Sequence, residues 1–416
     1  MAALDGTLPP QNSYCGPIKS SSQNDTAEFW VVLRDAADNT LVSAWWASDP
    51  LAATPWTEIT TNQPDFVDEI LSLNVWPVDN KLYVVAQNAS DDIYFARLDM
   101  DQDVRAWEVV TGSVHETVLT GTPDGAADAC DLTVESDGAI MHVFYQGVTD
   151  KVHGTNYERI HHLRTNNADT ATVMVGSGQN NVFGDPTGDQ FDWTGPRCVL
   201  GASDRTHVLG ISNEAGGNND IWENDVTTGG APTATNDTDT ALNTVNGENY
   251  PIGHGVTVNR AGTVKGRIPT KSPAAARIAA FDSGASPSFS EQAVSAQNPA
   301  VVNSSAGICL ASLGSTIWTA FADATDNDVD SEEDADSDTW TGTPASITTN
   351  ASQVHINAYD TEAAASTTGP VLGILHDSDG AGGTPLYAER DITISESALS
   401  AAKMGEFHSH HGPDSF

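Results

Sequence analysis

Seven short hydrophobic runs recur along the chain at nearly constant spacing. They are Trp30-Val31-Val32-Leu33, Tyr83-Val84-Val85, His142-Val143-Phe144, His207-Val208-Leu209, Thr263-Val264-Lys265, Ile317-Trp318-Thr319 and Val371-Leu372-Gly373. Their middle residues lie 53, 59, 65, 56, 54 and 54 positions apart. A period near 57 is too long for a two-helix repeat and suits a unit of four short strands.

The second unit shows the pattern best. Leu71 to Trp76 alternates, Asp79-Asn80 turns the chain, Leu82 to Ala86 follows, and Ile93 to Leu98 and Trp107 to Val110 complete four runs. Val, Ile, Tyr, Phe and Trp dominate them, which suits a pleated, half-buried surface, and turn residues separate them. The first unit reads Phe29 to Leu33, Leu41 to Trp46 and Trp56 to Thr60 as its second, third and fourth strands. The seventh reads Val354 to Tyr359, Val371 to Leu375, Pro385 to Glu389 and Ile392 to Ser395. The fourth is weakest, because its last strand near Thr235 to Leu242 is polar. Only Ala274 to Ala280 and Ser397 to Met404 look helical.

Seven such units account for nearly the whole chain. The pattern resembles the β-propellers, in which radial packing leaves only short sheet edges. The fold expected is all-β: a seven-bladed β-propeller of four-stranded antiparallel blades over residues 1–396, with a tail over 397–416 that docks on a partner. Paired sandwiches need no period held through 416 residues, and a β-helix repeats at shorter intervals. No subfamily motif accompanies the architecture. WD40 and Kelch signatures are absent, and the sialidase Asp-box is approached only by Ser337-Asp338-Thr339-Trp340, which lacks its Gly. With only 11 Arg, the arginine cluster of a sialidase is not to be expected either.

The charge is extreme: 57 acidic against 17 basic residues, a net −40. Forty of the acids are Asp, and only six residues are Lys. Self-repulsion at that charge weakens a compact fold, and salt relieves it. The composition resembles that of halophilic proteins, of haloarchaea or their viruses. No basic stripe exists to neutralise phosphates, so nucleic acid is not an expected partner. Met1 to Gly6 has neither the basic nor the apolar region of a signal peptide, and no apolar run is long enough to span a membrane. Cys15, Cys130, Cys198 and Cys309 fall in or beside predicted first strands, at spacings unlike a zinc motif. They read as small buried residues, with a Cys130–Cys198 disulfide as the alternative.

Long loops predicted on one face, Thr111 to Ala127, Gly176 to Gly195, Thr227 to Asn249 and Asp323 to Asp338, are where a ligand is expected. Phe183, Phe191 and Trp193 in the second of these suit stacking on sugar rings or docking on a protein; pinning of the loop is the competing role. Asp326, Asp328 and Asp330 alternate as calcium ligands do in a turn, and Ca2+ is the cofactor expected there, although no EF-hand pattern is complete. Asp99-Met100-Asp101-Gln102-Asp103 and Asp377-Ser378-Asp379 repeat the theme on a smaller scale. His153, Tyr157, Arg197 and His254 supply a base and a uronate-neutralising guanidinium, the groups needed for polysaccharide β-elimination. The tail His408, His410 and His411 are placed for a transition metal. Five sequons, at Asn24, Asn88, Asn236, Asn303 and Asn350, permit glycosylation.

Two functions are therefore expected from the sequence. The first is a non-enzymatic binding or structural propeller in an extracellular assembly: a virion protein on a tail or capsid surface, oligomeric, contacting other virion proteins and host surface glycan or protein. The second is a polysaccharide lyase or glycosidase on the same scaffold.

Overall fold

A computed structural model describes residues 2–3, 14–20, 28–35, 37–52, 56–90, 92–110, 116–120, 130–135, 138, 140–148, 158–165, 174–182, 192–201, 205–213, 219–226, 255–258, 264–270, 277–282, 288–293, 308–313, 316–322, 329–334, 345–348, 354–359, 371–377 and 385–391. Among them there are strands and turns and no helix, hence no helix long and apolar enough to cross a membrane.

The strands are β1 (Ala2–Ala3), then a first sheet of β2 (Tyr14–Lys19), β3 (Phe29–Arg34), β4 (Val42–Ala47) and β5 (Thr57–Ile59). The second sheet holds β6 (Ile70–Val78), β7 (Lys81–Asn88), β8 (Ile93–Asp99), β9 (Ala106–Trp107) and β10 (Glu116–Thr120). The third is β11 (Cys130–Val134), β12 (Met141–Val148), β13 (Glu158–Thr165) and β14 (Met174–Asn181). The fourth is β15 (Asp192–Leu200), β16 (Thr206–Asn213) and β17 (Asn219–Val226). The fifth is β18 (Gly255–Val258), β19 (Val264–Thr270), β20 (Arg277–Asp282) and β21 (Ser288–Ala293). The sixth is β22 (Ile308–Leu313), β23 (Thr316–Ala322), β24 (Val329–Asp334) and β25 (Ala345–Thr348). The seventh is β26 (Val354–Tyr359), β27 (Val371–Asp377) and β28 (Pro385–Asp391), with β1 paired on β28.

Each sheet is an antiparallel meander, as short connections between alternating strands dictate. The first strands then meet in cyclic order, β2 with β6, β6 with β11, β11 with β15, β15 with β18, β18 with β22, β22 with β26, and β26 with β2. Among the described residues, successive sheets thus adjoin through their first strands. All seven repeated hydrophobic runs overlap the second strands of their sheets.

The core lies between sheets. Ile18, Trp30, Val32 and Ala44 of the first sheet pack on Leu73, Val75, Val84, Tyr94 and Leu98 of the second. Trp76, Tyr83, Val85 and Phe95 of the second meet Leu132, Val143, Tyr145 and Leu163 of the third. Each such side chain fully buried stabilises by roughly 1.5–3 kcal/mol.

Several expectations change. The outer place of the second sheet belongs to β10, and of the predicted run Trp107 to Val110 only Trp107 lies in a strand, in β9. Ala2–Ala3 occupies the place on β28 that Ile392 to Ser395 was expected to fill; the latter lie outside the described residues. Arg277 to Ala280, read as helical, is strand β20, because cross-strand pairing on both sides overrides Ala's helix propensity. Three of the expected long loops contain strand: β10, β14 with the start of β15, and β24. Of these, β10 and β14 lie at sheet edges, where only one face of a strand needs to be apolar. The polar fourth strand expected near Thr235 to Leu242, and the tail 397–416, lie outside the described residues.

Candidate functional site

The contact between the third and fourth sheets differs from its neighbours. Its apolar part is small: Phe144, Ile160 and Val182 against Cys198, Val208 and Val226. The rest is polar and follows from alternation along β11. Cys130, Leu132 and Val134 point toward the second sheet, so Asp131, Thr133 and Glu135 point the other way. All three are buried.

Asp131 accepts the backbone N–H of Cys198 at 2.7 Å and that of Leu132 at 2.8 Å. Burial pushes its carboxyl up to about 7, against the opposing pull of the Arg197 guanidinium and these N–H groups. Thr133 and Thr206 share a hydroxyl hydrogen bond of 2.7 Å across the seam. At the inner rim, Gly195 N–H donates to Gln146 Oε1 at 3.3 Å. Gly195 has φ +62° within the bulge between Thr194 and Arg197, a backbone shape that favours glycine. Asn224 donates to the Val182 carbonyl at 2.6 Å.

The far end of the seam holds a row of Glu135, His142 and His162. His142 Nε2 lies 3.3 Å from Glu135 Oε1, and its Nδ1 lies 3.0 Å from His162 Nε2. The two imidazoles stack 5.2 Å apart, and His162 also stacks on Phe144 at 4.8 Å. Burial pushes His142 down to about 4 and His162 well below the ordinary imidazole value. On the other face of the third sheet, Tyr145 lies against His161, and Gly147 leaves room for both rings. A Cβ at Gly147 would sit 3.1 Å from the His161 ring. Burial pushes the Tyr145 phenol up, the Cys130 thiol up to about 12, and the Cys198 thiol up.

Of the predicted site residues, Arg197 is on β15 as expected, buried beside Asp131 and in register with Leu209. Trp193 was expected in a loop; it lies on β15 opposite Ser212, because the strand runs past the bulge. Asp330 lies on β24 opposite Phe321, where a turn was expected. His153, Tyr157, Phe183, Phe191, His254, Asp326 and Asp328, and the tail histidines, lie outside the described residues. The acidic turn after β8 is explained locally: Asp99 and Asp101 carboxylates accept the N–H groups of Asp101 and Asp103, each at 2.9 Å. Asn88 is buried, and its amide is taken up by Phe66, Ser90 and Asp92, so in the folded protein it is no glycan acceptor. Cys15, Cys130 and Cys198 are buried free thiols on first strands, and Cys309 lies on β22. Among the described residues no group of three metal-ligating side chains converges.

Sequence reasoning missed Asp131, Glu135, His142 and His162. Their signal is the period-two polar row Asp131, Thr133, Glu135 on a strand whose other face is apolar.

No protein-family model matches the chain, and no curated protein does. Among solved structures the chain is similar to a polysaccharide lyase, a PL25 ulvan lyase, at 10% identity and a TM-score of 0.53, covering 96% of this chain and 97% of that one. It is also similar to the Aleuria aurantia lectin, a six-bladed β-propeller, at 12% identity, TM-score 0.44, and coverage of 82% and 96%. A third is the Penicillium chrysogenum α-L-arabinanase, at 10% identity, TM-score 0.45, and coverage of 77% and 93%. The fold is a β-propeller. At these identities the likeness extends to the fold and no further.

Proposed function

We propose that this chain is a seven-bladed β-propeller that binds carbohydrate without transforming it. The supporting observation is the state of the seam. His142 and His162 are held neutral, Tyr145 and the thiols are held protonated, and Asp131 is occupied by two backbone N–H groups. Groups held in this way fasten strands together; a general base must instead reach a substrate proton.

Phe183, Phe191 and Trp193 are the residues proposed to stack on sugar faces. Phe183 and Phe191 fall between β14 and β15 in sequence, and Trp193 lies on β15. The Asp-rich charge of −40 supports a high-salt setting, and display on an extracellular assembly, a virion of a haloarchaeal virus, rests on that composition alone. The polysaccharide lyase reading has its own support: Arg197 lies on a first strand, and one likeness over 96% of the chain is to an ulvan lyase.

Binding of uronate-containing polysaccharides and of haloarchaeal envelopes, measured at molar salt, separates the two. The expected result is saturable binding with unmodified polysaccharide, lost when Phe183, Phe191 and Trp193 are together replaced by Ala. Release of an unsaturated uronate, abolished by His254→Ala, would replace this reading with the lyase. Absence of both binding and turnover would end the carbohydrate reading.

A further inference from the structure

The described sheet contacts do not respond alike to protons. Between the second and third sheets the packing is a broad apolar cluster, and its cross-sheet hydrogen bonds include those of Ser72 and Asn74 to the Cys130 backbone. Between the third and fourth, a stacked pair of imidazoles takes the place of apolar side chains. We propose that the Glu135–His142–His162 row is an acid-sensitive latch, whose protonation loosens the third sheet from the fourth while the first and second stay closed.

The geometry gives the mechanism. An ionised Glu135 only accepts, so His142 donates through Nε2–H, and its Nδ1 lone pair then accepts the His162 Nε2–H. A proton arriving on His142 must land on Nδ1. Two N–H groups would then face each other across 3.0 Å, and the hydrogen bond is lost. A proton on the other nitrogen of His162 places a cation in a ring stack with His142 and Phe144, in a site with almost no exposure.

The surrounding charges are mixed. Glu135, in contact with His142, favours a proton, whereas Asp131, whose carboxyl is pushed up to about 7, is neutral in acid and does not. Arg164 on β13 opposes it at both rings, and β15 contributes Arg197 and the neutral Cys198. Burial decides the balance and holds both imidazoles neutral at neutral pH. The unfolded chain takes up protons near 6.5 whereas folded His142 does so near 4. The contribution of His142 is therefore fully present above 6.5 and is lost as pH falls from there toward 4, while Asp131 in the same seam acts the opposite way and favours the folded state in acid.

The test is amide hydrogen exchange of the full chain at constant molar salt, expressed as protection factors, above pH 6.5 and near pH 4. Relative to the paired variant His142→Gln with His162→Gln, in which Asp131 acts alone, acid is expected to lower protection about tenfold or more in β12, β13, β15 and β16, since one pKa unit corresponds to a tenfold change. Strands β3, β4 and β7 should keep theirs. The paired variant His142→Gln with His162→Gln should show no acid-specific loss in the seam. Equal loss in all sheets, or the same seam loss in the variant, overturns the latch. If the paired variant does not fold, imidazole titration of the wild-type chain by NMR decides. Midpoints depressed and coincident with the loss of protection uphold the latch, and ordinary midpoints without loss overturn it.

Discussion

Asp131 sits where burial and charge pull in opposite directions. Its carboxyl is inaccessible, titrates near 7, and is held beside Arg197 while accepting the N–H groups of Leu132 and Cys198. A carboxyl whose folded value exceeds its unfolded value of 3.8 favours the folded state in acid, and that advantage is lost as pH rises toward 7. The loss is at most about 4 kcal/mol, and the ionised form above pH 7 carries it in full. Asp131→Asn keeps an acceptor oxygen for the Cys198 N–H and removes the buried charge. The expected outcome is a higher melting temperature than wild type at pH 8, the advantage vanishing near pH 4. Calorimetry of both proteins at the two pH values checks it. A variant less stable at pH 8 would mean that the Arg197 attraction outweighs desolvation. None of this was legible from Asp131 alone, because an acidic residue in a chain with 57 of them carries little information. The information lies in its place on a strand whose alternate residues are Cys130, Leu132 and Val134.

At the scale of the strands, much was legible. The second strand of every described sheet carries part of one of the repeated apolar runs, and that strand is flanked on both sides within its sheet. Outer strands were harder to read. The edge strand Met174-Val-Gly-Ser-Gly-Gln-Asn-Asn181, and also Val329-Asp-Ser-Glu-Glu-Asp334 between β23 and β25, have almost no apolar alternation, and pairing with neighbouring strands places them instead. The four cysteines were placed correctly on first strands, since a small apolar side chain suits the crowded ring. Arg197 and His254 were read on inner strands, whereas the aromatic and calcium candidates were chosen from loops, and Trp193 and Asp330 were misplaced there because polar strands look like loops. The apolar contact between the second and third sheets gives the element-scale prediction. Phe95 is fully buried there and stacks on Tyr83 at 6.3 Å. Phe95→Ala should cost about 3–5 kcal/mol, read as a lower midpoint in denaturant at fixed molar salt. A cost well under 1 kcal/mol would mean the two sheets do not share this core.

Over the whole molecule, seven sheets packed side by side carry a net charge of −40, and few cations offset it. The described ion pairs use those cations between elements: Arg34 bridges to Glu69, and Arg105 bridges to Glu28 while lying 3.9 Å over the Trp46 ring. Long-range repulsion among the remaining carboxylates is screened over about 10 Å at 0.1 M salt and about 3 Å at 1 M. The melting temperature should therefore rise steeply from 0.1 M to molar KCl, and a flat profile would show that the acids are already compensated. The strand β1 has a further consequence for how such a molecule is made. Ala2 and Ala3 pair with Tyr387 and Leu386 in the seventh sheet, residues far apart along the chain. Joining segments that far apart costs roughly 5 kcal/mol of chain entropy. No product that stops before β28 can make that join, so a nascent chain holds its early sheets without it until β28 has been made. Premature termination would leave an open stack of sheets with an apolar side exposed, the form most prone to associate with its neighbours.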